Sequence, residues 1–209
     1  MGCNRDFSTV DPSGAIYFAL MRFVLGLLVT LPLCFSAAQP HQRVAIKAVT
    51  QAGHFNKAKS EYENGYFGLV VRLPEPNSSV ALNPIVEKDR AVLVKAVNDR
   101  GGVDGWHKFG IDVHSADIPG LVSVTQFVQS LRHQQERDGF QTVEAEVYRT
   151  IAGREFVQSK LKIDSQAEHY YQAIMVTRTN GYLLGFWIDA LTEEELRKAT
   201  DLGNRIRFR

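Results

Sequence analysis

Two histidines and two aspartates lie in one short segment near the middle of the chain, at His107, Asp112, His114 and Asp117. Imidazole and carboxylate groups bind Zn²⁺ or hold a general base, and Asp112 and His114 would share one face of a strand. A zinc site usually needs three or four converging ligands. A metal-dependent hydrolase therefore requires His107 to converge with them; otherwise the segment is a solvated strand end before the Pro119-Gly120 turn.

A second group of oxygen ligands could bind Ca²⁺. Asn98, Asp99 and Asp104 lie in a glycine-rich segment, but Arg100 intrudes and the EF-hand order of ligands is missing. Turn formation is the favoured interpretation of this group.

Charged residues near the chain end could form partner sites. Glu193, Glu194 and Glu195 could be an acidic contact surface, although helix capping and the helix dipole explain them without a partner. The basic side chains Arg205, Arg207 and Arg209 are interpreted as a solvated tail.

An aromatic group could line a ligand groove or simply pack across strands. Packing is the favoured interpretation. Its members are Tyr170, Tyr171, Tyr182, Phe186 and Trp187.

The global composition excludes some classes of function. The net charge is +1, which favours neither nucleic acid nor an anionic membrane surface. The sequence contains no P-loop, zinc-protease helix, nucleophile elbow or dinucleotide-binding glycine motif. These absences remove the simplest arguments for catalysis without excluding it, and no catalytic, cofactor or metal residue is predicted.

Residues 1–38 are predicted to be an N-terminal extension and signal peptide. Arg22 precedes an apolar run over residues 23–35, and Ser36-Ala37-Ala38 would allow cleavage before Gln39. Met21 is the favoured start. These features predict an exported, periplasmic or secreted protein.

Two alternatives for this segment stay open. Residues 15–35 could form one membrane-spanning helix that tethers a structural domain, although Arg22 would then lie inside the apolar run. Cys34 could be lipidated, although Leu33 is large for the position before it. Cys3 and Cys34 are the two cysteines, so a chain cleaved before Gln39 has no disulfide and no Cys-bound zinc.

Residues 39–61 are polar and are interpreted as a linker, which could contain a short strand or helix, and residues 62–209 as the folded domain. Hydrophobic periodicity within that domain predicts three strands, one helix and four more strands. The predicted strands are residues 66–73, 90–97, 106–113, 142–151, 155–163, 170–179 and 182–190, and the helix is residues 123–138.

A second helix is predicted over residues 192–206. Thr192 and Glu195 form a capping box, and the apolar stripe includes Leu191, Leu202 and Ile206. Asn180-Gly181 predicts a tight hairpin between the two preceding strands. The order of elements predicts an α+β fold, an antiparallel sheet of about six to seven strands flanked by helices.

Four segments of the folded domain form a recognisable series. They are Tyr62-x-Asn64-x-Tyr66-Phe67-Gly68 with Pro74, Ile151-Ala152-Gly153-Arg154-Glu155-Phe156, Gly181-Tyr182-Leu183-Leu184 and Ile206-Arg207-Phe208. Their order and spacing resemble those of PsbP-like exported proteins. The chain departs from the family pattern at Pro74-Glu75-Pro76. The resemblance covers roughly residues 60–208.

This resemblance implies the α/β/α sandwich shared by PsbP and the Ran-binding Mog-type proteins. It implies no catalytic residue and no cofactor, since members are mostly assembly factors and binding modules. Together with the signal segment, the resemblance favours an exported, non-catalytic binding or assembly module of the cell envelope, with a protein or a small ligand as its partner.

Overall fold

The computed structural model describes residues 45–73, 79–98, 107–117, 120, 123–164 and 169–209. All of them belong to one compact unit of residues 39–209. The predicted signal peptide, its alternatives, Asp99, Asp104 and Pro119 lie outside the described residues. No helix in the described ranges is long and apolar enough to cross a membrane.

The described residues form eleven strands, numbered in chain order. They are β1 (Gly53–Asn56), β2 (Glu61–Asn64), β3 (Leu69–Arg72), β4 (Ser79–Val86), β5 (Arg90–Val97), β6 (Lys108–Ser115), β7 (Gln141–Ile151), β8 (Arg154–Asp164), β9 (His169–Thr179), β10 (Tyr182–Ala190) and β11 (Ile206–Phe208). The helices are α1 (Ile46–Gln51), α2 (Val124–Arg137) and α3 (Glu193–Thr200), with a short 3-10 helix at Leu202–Asn204.

The strands form two antiparallel sheets. The larger has seven strands in the order β4-β5-β6-β10-β9-β8-β7, and the smaller has four in the order β1-β2-β3-β11. The α+β class and the antiparallel seven-stranded sheet are therefore confirmed. The separate small sheet was not predicted.

Side chains on the two faces of the large sheet enter separate cores. Ala173 and Met175 of β9 belong to one core, and Ile174 and Val176 belong to the other. Successive strand residues point to opposite faces, so the cores lie on opposite sides of the sheet. The first core contains residues of α1, α3 and the small sheet, and the second contains Phe127 and other residues of α2. The result is a layered sandwich.

The predicted hairpin and several predicted strands are confirmed. β5 and β10 have the predicted limits, and α2 lies within its predicted range with Ser123 accepting a hydrogen bond from Gln126 N. Asn180 and Gly181 have φ of 50° and 79°, the positive values that a type I′ turn needs at both positions.

The folded structure begins before residue 62. Residues 45–61 contain α1 and β1, and Ile46 and Val49 are buried in the first core. Ile46 and Val49 are three apart, so they lie on one side of a single helical turn. This part of the predicted linker therefore belongs to the folded domain.

The last predicted helix is too long. α3 ends at Thr200, and Ile206 lies in β11, where it pairs with Val71 of β3. Ile206 belongs to the small sheet and is buried in the first core. Leu191 lies before α3 and is 41% exposed, so it does not belong to a buried helical stripe. The spacing of these apolar residues is compatible with a helix, but the pairing of β11 with the distant strand β3 makes residues 206–208 a strand.

Candidate functional site

Asp112 and His114 are brought together, as their spacing predicts. His114 Nε2 lies 2.9 Å from Asp112 Oδ2, and both side chains are largely buried. The His114 ring packs edge-on against Phe127 of α2, with ring centroids 5.0 Å apart. The pair therefore lies on the sheet face that carries α2.

His107 does not join this pair. It precedes β6, where its N–H donates to the Asp189 carbonyl oxygen at 2.6 Å. Seven residues of extended chain place it roughly 20 Å from His114. Among the described residues, no three His, Cys, Asp or Glu side chains could hold one metal ion. His107 therefore does not share a metal site with Asp112 and His114.

The glutamates that open α3 have structural roles. Thr192 Oγ1 accepts from Glu195 N at 3.1 Å, and Thr192 N donates to Glu195 Oε2 at 3.0 Å, which confirms the capping box. Arg197 donates to both Glu194 oxygens at 2.8 Å, and these bonds lower the pKa of Glu194 to about 2.

The C-terminal arginines are not a free tail. Arg207 forms an ion pair with Glu61 at 3.2 Å, and Arg209 pairs with Glu63 at 3.3 Å. Arg205 accepts a backbone hydrogen bond from Arg72 N at 2.8 Å. The backbone of this segment is held on the small sheet by β11, while the Arg207 and Arg209 side chains remain exposed to solvent.

The aromatic group divides between the two sheet faces. Tyr182 and Phe186 are buried in the first core, and Tyr171 packs against it. Tyr170 and Trp187 lie on the opposite face, at the edge of the second core. Cross-strand packing accounts for the buried members, and Trp187 also lines a cleft.

This cleft lies on the α2 face of the sheet, over β5, β6 and β10, and has a volume of about 350 Å³. We call it the sheet cleft. Its floor is made of alternate residues of neighbouring strands, which point to one face. The side chains that line it are Arg90, Val92, Lys95, Lys108, Asp112, Gln172, Trp187 and Asp189.

Two glycines lie in the floor of the cleft, and one of them leaves it hollow. Gly110 pairs with Trp187 and Gly185 pairs with Asp112 across β6 and β10. A Cβ atom at Gly185 would collide with Asp112 Oδ1, so the carboxylate occupies the space above that glycine. At Gly110 a Cβ atom would meet its nearest neighbours only at 3.8 Å. Gly110 therefore lies beneath the open part of the cleft.

Two buried acceptor atoms of the cleft have no hydrogen-bond partner within the described part of the chain. They are Asp112 Oδ1 and Gln172 Oε1. Both residues are more than nine-tenths buried. A buried acceptor without a partner costs about 1–3 kcal/mol, so such atoms are uncommon in folded proteins. Within the described residues, the capacity of these two oxygens to accept hydrogen bonds stays unused.

Asp189 also lines the cleft, as Asp112 and Gln172 do. Burial raises the pKa of its carboxyl group, although a 3.0 Å hydrogen bond from Gln172 Nε2 and the positive charges of Lys108, His107 and Lys95 act in the opposite direction. Burial prevails because the side chain lies on the floor of the cleft.

We expect Asp189→Asn to stabilise the protein at pH 7. The raised pKa means that the folded state holds its proton more tightly than the unfolded state, so wild-type stability falls as the pH rises above the unfolded value near 4. The variant lacks this titration and can still accept from Gln172. Denaturant unfolding at several pH values should show a gain at pH 7 that disappears below about pH 4. A gain that grows on acidification would contradict this origin.

The cleft was not found from the sequence, although a signal existed. Gly185 and Asp189 interrupt the apolar strand β10 at alternate positions, as Gly110 and Asp112 do in β6. Small and polar residues on one face of an otherwise buried strand indicate a hollow or a polar site. These residues indicate one shared site only when β6 and β10 are known to be neighbouring strands.

The comparisons with known proteins found similarity only at the level of three-dimensional structure. No family model and no curated protein matches the chain. One similar structure is PsbP (CyanoP) from Synechocystis sp. PCC 6803, with 11% identity over 71% of this chain and 91% of that chain, at a TM-score of 0.48.

Two further similar structures come from other organisms. LpqN, involved in cell envelope biogenesis of Mycobacterium tuberculosis, is 15% identical over 64% of this chain and 86% of its own, at a TM-score of 0.39. The Saccharomyces cerevisiae Ran-binding protein Mog1p is 16% identical over 68% of this chain and 82% of its own, at a TM-score of 0.38. These similarities are to PsbP-like and Mog-type structures, and each has a TM-score below 0.5.

Proposed function

We propose that the protein is an exported, non-catalytic module that binds a small polar molecule in the sheet cleft. Residues 21–38 support export, because they have the order of a signal peptide. The non-catalytic part rests on the family resemblance of the sequence, whose members are mostly binding and assembly proteins. The binding part rests on the cleft itself.

The observation that carries the proposal is the hollow over Gly110 beside the buried, unpartnered oxygens of Asp112 and Gln172. Ligand pockets are concave sites with a few converging polar groups, often including one of perturbed pKa. Asp189 supplies such a group, and the half-buried indole of Trp187 supplies an apolar wall.

Gly110→Val tests this proposal, because it fills the cleft without a clash. Its Cβ atom would meet Val94 O at 3.8 Å and Trp187 Cβ at 3.9 Å, which are ordinary contacts. Gly65→Val is the matched control, since Gly65 is exposed and has nothing within 4 Å of an added Cβ atom. Both variants should fold.

The probe is a size-filtered small-molecule extract of the cell envelope of the source organism. We expect it to shift the indole N–H resonance of Trp187, in a Trp106→Phe background, in the parent and in Gly65→Val. Gly110→Val should show no shift. Binding that survives Gly110→Val, or no shift in any protein, contradicts the proposed site.

Export has its own test. N-terminal sequencing of the protein from cells should give Gln39 as the first residue. A mature chain that still carries residues 15–35 would instead support the membrane-tethered alternative.

A further inference from the structure

We infer that the sheet cleft binds a small zwitterion that carries both an amino group and a carboxylate, as a free amino acid does. This inference rests on the proposed function and adds the chemistry of the bound molecule. Four side chains surround one glycine on the cleft floor, and the three that are charged occupy separate positions.

Gly110 is the centre of this arrangement. Lys95 of β5 and Trp187 of β10 pair with it on either side. Lys108 and Asp112 are the next residues on the same face of β6. All four side chains line the cleft. A molecule seated over Gly110 therefore meets two ammonium groups, one carboxylate and one indole.

The acidic position is formed by Asp112. Its Oδ2 atom is engaged by His114 Nε2 at 2.9 Å, while Oδ1 has no partner in the part of the chain that the structure describes. Hydrogen bonds between an ammonium group and a carboxylate are short and about twice as strong as neutral ones. Oδ1 lies over Gly185, and a ligand amino group over Gly110 would be attracted by the negative charge of this carboxylate.

The basic position is formed by Lys95. It lies across from Gly110 and is exposed at the rim of the cleft. The charges of Lys95 and Lys108 both act on Asp189, which lies across from Lys108. A ligand carboxylate over Gly110 would lie between Lys95 and Trp187, close to the exposed ammonium group of Lys95.

The remaining wall suits an apolar portion of the ligand. Trp187 is half-buried and lies beside Gly110, and Val92 lies across from Asp112. Indole rings contact both apolar groups and cations favourably. An amino acid with an apolar side chain has one group for each of Asp112, Lys95 and Trp187.

Three probes with one carbon skeleton test the charge requirement. L-phenylalanine carries both charges, L-phenylalanine amide carries only the positive one, and N-acetyl-L-phenylalanine carries only the negative one. Titrations are followed by the indole N–H resonance of Trp187. We expect L-phenylalanine to bind roughly tenfold or more tightly than either relative, as the loss of one charge-assisted hydrogen bond implies.

Two variants assign the charges to residues. Asp112→Asn should weaken L-phenylalanine binding roughly tenfold and leave N-acetyl-L-phenylalanine unchanged, and Lys95→Met should weaken L-phenylalanine and leave the amide unchanged. The matched controls are Asp164→Asn, which alters another Asp–His pair, and Lys88→Met, which removes an exposed cation elsewhere. Equal losses for all three probes would overturn the assignment.

The outcomes separate this inference from the proposed function. A singly charged probe that binds as tightly as L-phenylalanine overturns the zwitterion. Failure of all three probes, with the envelope extract still shifting Trp187 in a Gly110-dependent manner, also overturns the zwitterion and leaves the binding site standing. Failure of the probes and of the extract overturns both.

Discussion

Phe186→Ala is expected to lower the free energy of unfolding by about 3–5 kcal/mol. Phe186 is fully buried in β10, a central strand of the large sheet, and its ring packs against Phe156 and Phe109 with centroids 5.7 and 6.4 Å apart. The truncation removes a large apolar side chain and leaves a cavity that strands on both sides prevent from collapsing. Equilibrium unfolding in urea would measure the loss.

Tyr148→Ala is the control for this prediction. Tyr148 is also an aromatic residue in a strand of the large sheet, but it is 61% exposed at the edge strand β7. We expect it to cost less than about 1 kcal/mol, as is usual for surface positions. Similar losses in the two variants would show that the core does not centre on β10.

Asn64→Leu is expected to cost about 3 kcal/mol, although leucine fills a similar volume. Asn64 is 1% exposed, and its Nδ2 atom donates to Val49 O at 3.0 Å and to Tyr62 Oη at 3.2 Å. Its Oδ1 atom accepts from the N–H groups of Tyr66 and Phe67 at 3.1 and 3.4 Å. Leucine leaves these buried groups without partners, at about 1–3 kcal/mol for each one that water cannot reach.

The same side chain connects three parts of the domain. Asn64 joins α1, β2 and the turn that leads to β3. Burial raises the pKa of the Tyr62 hydroxyl to about 12, so this group stays protonated and needs a polar neighbour such as Asn64. Asn204→Leu, at an exposed site, should change the unfolding free energy by less than about 0.5 kcal/mol. Equal effects of the two variants would contradict the role of Asn64.

Strands with strict alternation or continuous apolar character could be predicted from the sequence, while β4 could not. The segment Ser79–Val86 contains Asn83 and Pro84, which favour turns when only neighbouring residues in the sequence are considered. β4 is an edge strand with an irregular register between Leu82 and Ile85, and Asn83 has a φ of 47°. Proline is tolerated at edges and bulges because no ladder hydrogen bond is lost there.

The candidate site was less predictable than the fold, for a physical reason. Asp112 and His114 could be paired from their spacing, since both lie in one strand. The cleft instead depends on β6 lying beside β10, with a helix and three strands between them in the chain. Local periodicity gives the face of each residue but not the neighbour of each strand. Gly110 and Trp187 therefore could not be assigned to one site.

The small sheet has a consequence for how the domain folds. Glu61 and Arg207, which form an ion pair on it, are 146 residues apart in the chain. The β3–β11 pairing has a similarly long separation, and the entropy of closing such a loop must be overcome before the contact forms. During synthesis, β3 leaves the ribosome long before β11 and must wait for it. We therefore expect the hairpin of β9 and β10 to assemble early and the small sheet to close last.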